Sequence, residues 1–239
     1  MAEVKGLRAA IQMNALSAIR KPLHEVKVSL LFAQYRAFKR GRTVTYQGRT
    51  YDYFYARYNL TVRNERAIEL PIFWTAVQQY PPERVLELGN VLAHYFPVHH
   101  DVVDKYEVAP GVKNVDVVDY QPHRTYDLIV AISTLEHVGW DEQPQDPPKL
   151  GRAIAHLRTL LAPGGTLMIS MPMGHNPEVD RLVGEGALPL STASYLKRVT
   201  SDNIWREVSR DEIVGAPYNY RIPTANGIVI GTIAPAAAG

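Results

Sequence analysis

A lone glycine closes the stretch Arg84-Val85-Leu86-Glu87-Leu88-Gly89-Asn90, and the next short apolar stretch, Asp101-Val102-Val103-Asp104, ends on an acid. The acid stands about 20 residues after the start of the first stretch, the spacing at which an α/β nucleotide site places a carboxylate for ribose hydroxyls. Glycine lets backbone approach a ligand closely, and the acid offers two acceptor oxygens. A second group of reactive types follows Ser133-Thr134-Leu135-Glu136-His137, with Asp141 and Glu142 close behind. Histidine is the side chain whose ordinary pKa lies nearest neutrality, so His137 has two readings: a general base, or a residue that shapes its loop. Asp141 and Glu142 could orient that imidazole, ligate a divalent metal, or stand as solvated loop acids. The third group, His175-Asn176 with Asp180, carries the hydrogen-bonding inventory that a polyol needs, although a plain surface loop shows the same polarity. His99-His100 reads as structural, because adjacent residues entering a strand point to opposite faces and cannot easily share one ion. No metal site is expected.

These residues need a scaffold that brings strand ends together. Short apolar runs alternate with helix-like stretches from Pro81 onwards, which predicts a doubly wound, mostly parallel α/β sheet. The strands fall at Val85 to Leu88, Asp101 to Asp104, weakly at Val115 to Val118, at Leu128 to Ile132 and at Thr166 to Met171. Ile204 to Val208 and Gly227 to Ile233 are expected to pair antiparallel at the end of the sheet. The helix after the first strand is unusually short, because Pro97 leaves Asn90 to Phe96 room for one or two turns.

The first 80 residues differ from residues 81–239 and are expected to form an extension. Before Tyr51 the chain carries Lys5, Arg8, Arg20, Lys21, Lys27, Arg36, Lys39, Arg40, Arg42 and Arg49 against Glu3 and Glu25, although the net charge of the whole is only +2. Val4 to Ile19 and Val26 to Phe38 read as two basic amphipathic helices that pack on the domain or on another subunit, or touch an anionic membrane peripherally. A tyrosine-rich β-hairpin follows, turning at Gln47-Gly48. Its tyrosines, with Tyr58 and Asn59 beyond them, either stack on a sugar ring or brace a small sheet. A polar run through Asn64, Glu65, Arg66 and Glu69 then enters a helix, Ile68 to Gln79, placed to cover the first core strand.

Composition narrows the classes. The absence of cysteine removes disulfides, thiolate zinc sites and cysteine nucleophiles together. No apolar run has the length of a membrane span, and a cytoplasmic location is the expectation.

An ordered set of motifs carries a resemblance. Val85-Leu86-Glu87-Leu88-Gly89, Asp104, Asn114-Val115-Asp116-Val117, the phrase from Tyr126 to Val138 ending Leu-Glu-His-Val, and Leu160-Leu161-Ala162-Pro163-Gly164-Gly165-Thr166-Leu167 resemble the class I S-adenosylmethionine-dependent methyltransferases over residues 84–171. The resemblance implies a Rossmann-like fold and S-adenosylmethionine as cofactor. Glu87, Gly89 and Asn90 would then lie beside its amino acid moiety. Asp104 would accept from both ribose hydroxyls, Asp116 would take the adenine amino group, Val117 would touch the ring, and Ser133 and Thr134 would stand beside the sulfonium. This chain departs from the family pattern in having a single glycine after the first strand, Gly89-Asn90-Val91-Leu92-Ala93-His94, where most members carry two or three, although Asn90 tolerates turn geometry. A methyltransferase-like binding module without activity is the alternative this departure keeps open.

The acceptor side is read from residue types. With His137 as base and Tyr58, Asn59, Asp141, His175 and Asn176 as acceptor contacts, O-methylation of a hydroxyl on a sugar or glycoconjugate is expected. A phenol or carboxylate acceptor is the alternative. Asp146-Pro147-Pro148 lacks the aromatic residue of a nucleic-acid amino-methyltransferase box, and no nucleic-acid partner is expected.

Overall fold

The computed structural model describes residues 26–221 and 223–236. The expected helix from Val4 to Ile19 lies outside them. The chain runs α1 (residues 26–38), β1 (Thr43–Tyr46), β2 (Arg49–Asp52), α2 (Arg66–Val77), β3 (Val85–Leu88), β4 (Asp101–Val103), β5 (Val112–Lys113) and β6 (Tyr126–Ile132). It continues with α3 (Lys149–Thr159), β7 (Leu161–Pro172), α4 (Pro177–Glu185), β8 (Thr192–Arg198), β9 (Trp205–Val208) and β10 (Gly227–Ile233).

The near-continuous apolar runs of β3 and β6 demand cover on both faces, and they sit at the middle of an eight-stranded sheet of order β5-β4-β3-β6-β7-β10-β8-β9. The first five strands in that order are parallel, and β10, β8 and β9 are joined by antiparallel pairings. One face buries Leu86, Ile129, Leu167 and Ile169 against Leu150, Ile154 and Leu157 of α3. The other buries Val85, Leu128, Val130 and Ile230 under Ile68, Ile72 and Phe73 of α2, together with Val44, Tyr46 and Tyr53 of the hairpin. The hairpin and α2 therefore share one core with the sheet. Gln47 (φ 49°) and Gly48 (φ 74°) give the left-handed pair that a two-residue hairpin turn requires.

Three expectations about elements change. The weak strand at Val115 to Val118 moves upstream to β5, because Asp116 caps a 3₁₀ turn over Val117–Asp119 and accepts the Val118 N–H. β9 and β10 are not neighbours, since β8 lies between them. β8 is hard to read from sequence because its residues are polar and only partly buried. Third, the His175 to Asp180 stretch is mostly helix, with Asn176 as N-cap and Pro177 opening α4.

The hairpin tyrosines brace the sheet. Tyr46 and Tyr53 are buried, Tyr46 faces Tyr51 across the strands at 6.3 Å, and the Tyr53 hydroxyl accepts the Trp205 N–H at 2.8 Å. α1 is pinned to the domain by its C-terminal end: Tyr35, Lys39 and Arg42 all converge on Asp202. Val26, Leu30 and Phe38 of α1 stay exposed, so the helix does not bury its whole apolar face. No helix among the described residues is long and apolar enough to cross a membrane.

Candidate active site

The strand order reverses direction between β3 and β6, and ligands of open α/β sheets bind at that point, beyond the carboxyl ends of the strands. A cleft of about 500 Å³ opens there, lined by Leu88 to Val91, Asp104 to Glu107, Val115 to Val117, Ser133, Thr134, His137, Val138, Asp141 and Glu142. That volume lies in the range of about 300–1,000 Å³ typical of small-molecule sites.

Backbone sterics shape its floor. Gly89 has φ +83°, and a Cβ built there would meet Thr134 Oγ1 at 2.4 Å, so the loops after β3 and β6 touch only because this residue is glycine. Glu87 is turned away from the cleft. Its Oε1 accepts the N–H groups of Val91 (2.9 Å) and Leu92 (2.8 Å), and its Oε2 lies 2.9 Å from His100 Nε2. Glu87 thus holds together the tight 3₁₀ turn, Leu92–His94, that stands where a long helix was absent from the sequence pattern.

Asp104 is more heavily committed than a ribose ligand should be. Its Oδ1 accepts from the Tyr106 and Glu107 N–H groups at 2.8 and 2.7 Å, and its Oδ2 accepts the Asn90 N–H at 3.2 Å. A carboxylate offers about four acceptor positions, so three backbone donors leave one for a hydroxyl, not two. Asn90 donates through Nδ2 to Glu107 Oε1 at 2.7 Å, while its Oδ1 is buried without a partner. Asp116 lines the cleft but spends its Oδ2 on Lys149 (2.5 Å) and Lys105 (2.8 Å), and Glu142 is bracketed by the same two ammonium groups. Burial opposes ionisation of Asp116, yet the bonds from Lys105 and Lys149 outweigh it and hold the pKa at about 2. An adenine amino group would have to share that carboxylate. The apolar wall is supplied by Val115, Val117 and Val138.

Beyond the cleft lies a second, much smaller cavity of about 80 Å³, lined by Asn59, Asn64, Glu65, Arg66, Glu136, Pro172, His175, Tyr218 and Pro223. Ser133 and His137 border both spaces. Ser133 sits at φ 41° and donates its hydroxyl to Glu69 Oε1 at 2.6 Å, and Thr134 donates to its own loop at the Ile132 carbonyl. Glu69 also receives Arg66 Nη1 at 2.6 Å. The Glu65 Oε2 accepts the Ala225 N–H at 2.9 Å, and burial, reinforced by Glu69, raises its pKa. Glu136 is fully buried, its Oε2 has no partner, and burial lifts its pKa well above the ordinary carboxylate range.

His137 places Nδ1 against Asp141 Oδ2 at 2.5 Å and Nε2 3.6 Å from Glu136 Oε1. His175 packs edge-on to it with ring centres 4.6 Å apart, and its Nε2 lies 3.4 Å from Asp141 Oδ2. Desolvation first, and His137 second, lower the His175 pKa, which favours the neutral ring. The candidate ligand atoms of His137, Asp141 and His175 all lie within 4.8 Å of one another, so the two imidazoles and one carboxylate form a donor set of the kind that divalent metals use. The sequence offered no such trio, because His175 lies in the loop after β7, remote in the chain from His137 and Asp141.

Two expected acceptor contacts are placed elsewhere. Tyr58 stacks on His94 at 4.4 Å and lines neither space. Asn176 is buried as the α4 cap, accepting the Glu178 N–H and donating to the Glu136 carbonyl. Asn59 does border the small cavity, held at φ 52° by the Asn64 Nδ2 bond to its carbonyl. Glu107 in the cleft, and Glu65, Arg66, Glu136 and Tyr218 in the cavity, were not among the expected site residues. Only Glu136 had a local signal, as the neighbour of His137.

Comparison with known proteins bears on this arrangement. A family model described as a methyltransferase domain matches residues 73–206, more than half of the chain, and the chain belongs to that family. It is an S-adenosylmethionine-dependent methyltransferase. Among solved structures it is similar to the N-methyltransferase NodS from Bradyrhizobium japonicum WM9 in complex with S-adenosylhomocysteine, at 13% identity and TM-score 0.44, over 70% of this chain and 85% of that one. It is also similar to CalS10, an amino pentose methyltransferase from Micromonospora echinaspora, at 17% identity and TM-score 0.33, over 48% of this chain and 56% of that one. A comparison with curated proteins finds no match. The residues present fit the cofactor: the cleft has the volume, an apolar wall, a glycine floor and, at Asn90 Oδ1, a buried acceptor that lacks a donor. Such an acceptor costs about 1–3 kcal/mol unless a ligand N–H reaches it.

Proposed function

We propose that this methyltransferase acts on a hydroxyl of a sugar or glycoconjugate, with His137 as the general base. The observation that carries the reading is the position of His137 on the border of both spaces, with Nδ1 tied to Asp141. A hydroxyl must lose its proton as it attacks, whereas a carboxylate acceptor is ionised already and needs no base.

S-adenosylmethionine, when bound, supplies an electrophilic methyl group on a positively charged sulfur. His137 would take the hydroxyl proton on Nε2 as the carbon–oxygen bond forms and the methyl–sulfur bond breaks, the sulfur leaving as a neutral thioether. Asp141, accepting at Nδ1, fixes the tautomer that leaves Nε2 able to accept and stabilises the imidazolium that results. Ser133 borders both spaces and Thr134 the cleft, and the Glu69 bond to Ser133 holds that strand end in its strained conformation. Holding the two reactants in line supplies much of the rate.

The test is His137→Ala assayed on a hydroxyl acceptor, with cofactor binding measured by calorimetry in parallel. Turnover falls by about 10² to 10⁴ while cofactor affinity is retained. Full activity in the variant removes His137 from the mechanism, and methylation confined to carboxylates removes the hydroxyl reading.

A further inference from the structure

The small cavity has an unusual charge inventory. Glu65, Glu136 and Arg66 line it, and Glu69 stands behind them on Arg66, so three buried carboxyl side chains surround one guanidinium. Two of the three are accounted for: Glu69 takes Arg66 and the Ser133 hydroxyl, and Glu65 takes the Ala225 N–H. Glu136 is not. Its Oε2 is buried, faces no donor, and belongs to a residue lining the cavity. An unpaired polar atom in a protein interior calls for an explanation, and an absent ligand is one that also explains the cavity.

The size of the space limits what enters. About 80 Å³ holds two or three waters or one small head group, but not a sugar ring. The head group must donate hydrogen bonds, since it meets a carboxyl oxygen, and a cation gains most because charge-assisted bonds are the strong ones. Tyr218 adds an aromatic wall beside His175, with ring centres 5.2 Å apart, a surface that favours a cation. Oε1, the other oxygen of the same carboxyl, lies 3.6 Å from His137 Nε2, so a cation held by Glu136 stands close to the reacting hydroxyl. Two groups held by adjoining side chains in this way match an acceptor that carries them on neighbouring carbons.

We infer that the acceptor is a vicinal amino alcohol, such as a 2-amino sugar unit, whose ammonium group binds Glu136 in the small cavity while the adjacent hydroxyl faces His137. This rests on the proposed function for the hydroxyl alone. The ammonium site stands on Glu136 and the cavity.

The experiment reads binding without turnover. The full chain saturated with S-adenosylhomocysteine is titrated with ethanolamine, with ethylene glycol as the neutral counterpart and N-acetylethanolamine as the amine with its charge removed, at matched ionic strength. Ethanolamine binds at least about tenfold more tightly than either neutral probe, and Glu136→Gln brings the three to within about twofold of one another. Equal binding of the three probes by the wild type, no binding of ethanolamine, or a preference that persists in Glu136→Gln overturns the inference. The wild-type preference is decisive by itself if the variant does not fold. Activity of His137→Ala is a separate measurement, so loss of the base reading and loss of the ammonium site are told apart.

Discussion

The two spaces that meet at Ser133 and His137 are built on opposite plans. The cleft is large, walled by valines, and takes its polar groups from loops at the ends of neighbouring parallel strands. The cavity is small and polar, and its titratable groups come from the start of α2, the loop after β6, the loop after β7 and, at Tyr218, the segment before β10. In the cleft, the acids are partnered: Asp116 and Glu142 alternate with Lys105 and Lys149, and Asp104 takes three backbone N–H groups. In and beside the cavity three buried acids share one guanidinium, and one carboxyl oxygen is left without a partner. A site whose acids are already partnered is ready for a ligand that brings its own complement of donors and acceptors. A site that leaves an acid unpaired selects for what neutralises it.

The severest way to break the contrast is to remove the cavity's single guanidinium. Arg66→Met strands Glu69 and Glu65 beside Glu136 without a cation. Breaking a buried ion pair from one side costs about 3–5 kcal/mol, so denaturant unfolding should show a loss of that size. A loss under about 1 kcal/mol would mean that these acids are neutral or solvated already.

A smaller effect is expected on the cleft side. Asp104→Ala removes the acceptor that gathers the Asn90, Tyr106 and Glu107 N–H groups, and with it the remaining position for a ribose hydroxyl. Hydrogen bonds to a charged group contribute about 1.5–3 kcal/mol, so calorimetry should show S-adenosylmethionine binding weakened by about tenfold to a hundredfold. Unchanged affinity would take Asp104 out of the cofactor site. Gly89→Ala tests the floor of the same cleft. Left-handed backbone costs a non-glycine residue about 1–3 kcal/mol, and the contact with Thr134 adds to that cost. The melting temperature should fall and the stabilisation by S-adenosylhomocysteine should shrink, and a variant that keeps both would show the loop free to shift.

The contrast also explains what could be read from the sequence. The cleft lies at strand ends, so each of its parts is a local pattern: apolar run and glycine at Gly89, apolar run and acid at Asp104, apolar run and hydroxyls at Ser133-Thr134. Their order along the chain sufficed to give the sheet and to place the ligand-binding edge. What Asp104 and Asp116 do with their oxygens was not legible, because that depends on loop backbone and on lysines that arrive from Lys105 and the start of α3. The cavity was less legible still. Glu65, Arg66 and Glu69 read as a polar helix entry, and nothing local says that they turn inward to meet Glu136 and Tyr218. Asn176 illustrates the opposite case: Asn before Pro is a helix start in the sequence, and the residue serves as a cap, not as an acceptor contact.

The smallest expected effect compares both spaces in one measurement, the pH dependence of stability. Asp116 has its pKa lowered from 3.8 to about 2, so the stability it contributes is complete above about pH 4 and is lost as pH falls towards 2. Glu136 has its pKa raised above 4.5 by burial, so its contribution is complete below that value and is lost as pH rises through the folded-state pKa. The two groups therefore pull in opposite directions, Asp116 losing its contribution as pH falls and Glu136 losing its own as pH rises above 4.5. Between about pH 5 and pH 8 Asp116 stays ionised, Glu65 adds to the decline, and His175, whose pKa burial lowers, opposes it. Comparison with Glu136→Gln isolates Glu136: the wild-type melting temperature should decline over that interval more than that of the variant, which has no proton to lose. Asp116→Asn should leave this interval unchanged and flatten the acid limb instead. Ethanolamine sharpens the comparison further: an ammonium group beside Glu136 favours its ionised form, so the decline between about pH 5 and pH 8 should shrink when the probe is present and ethylene glycol should not affect it. Parallel curves for the wild type and Glu136→Gln across that range would show that Glu136 is not held neutral by burial, and the difference in plan between the two spaces would then be one of size alone.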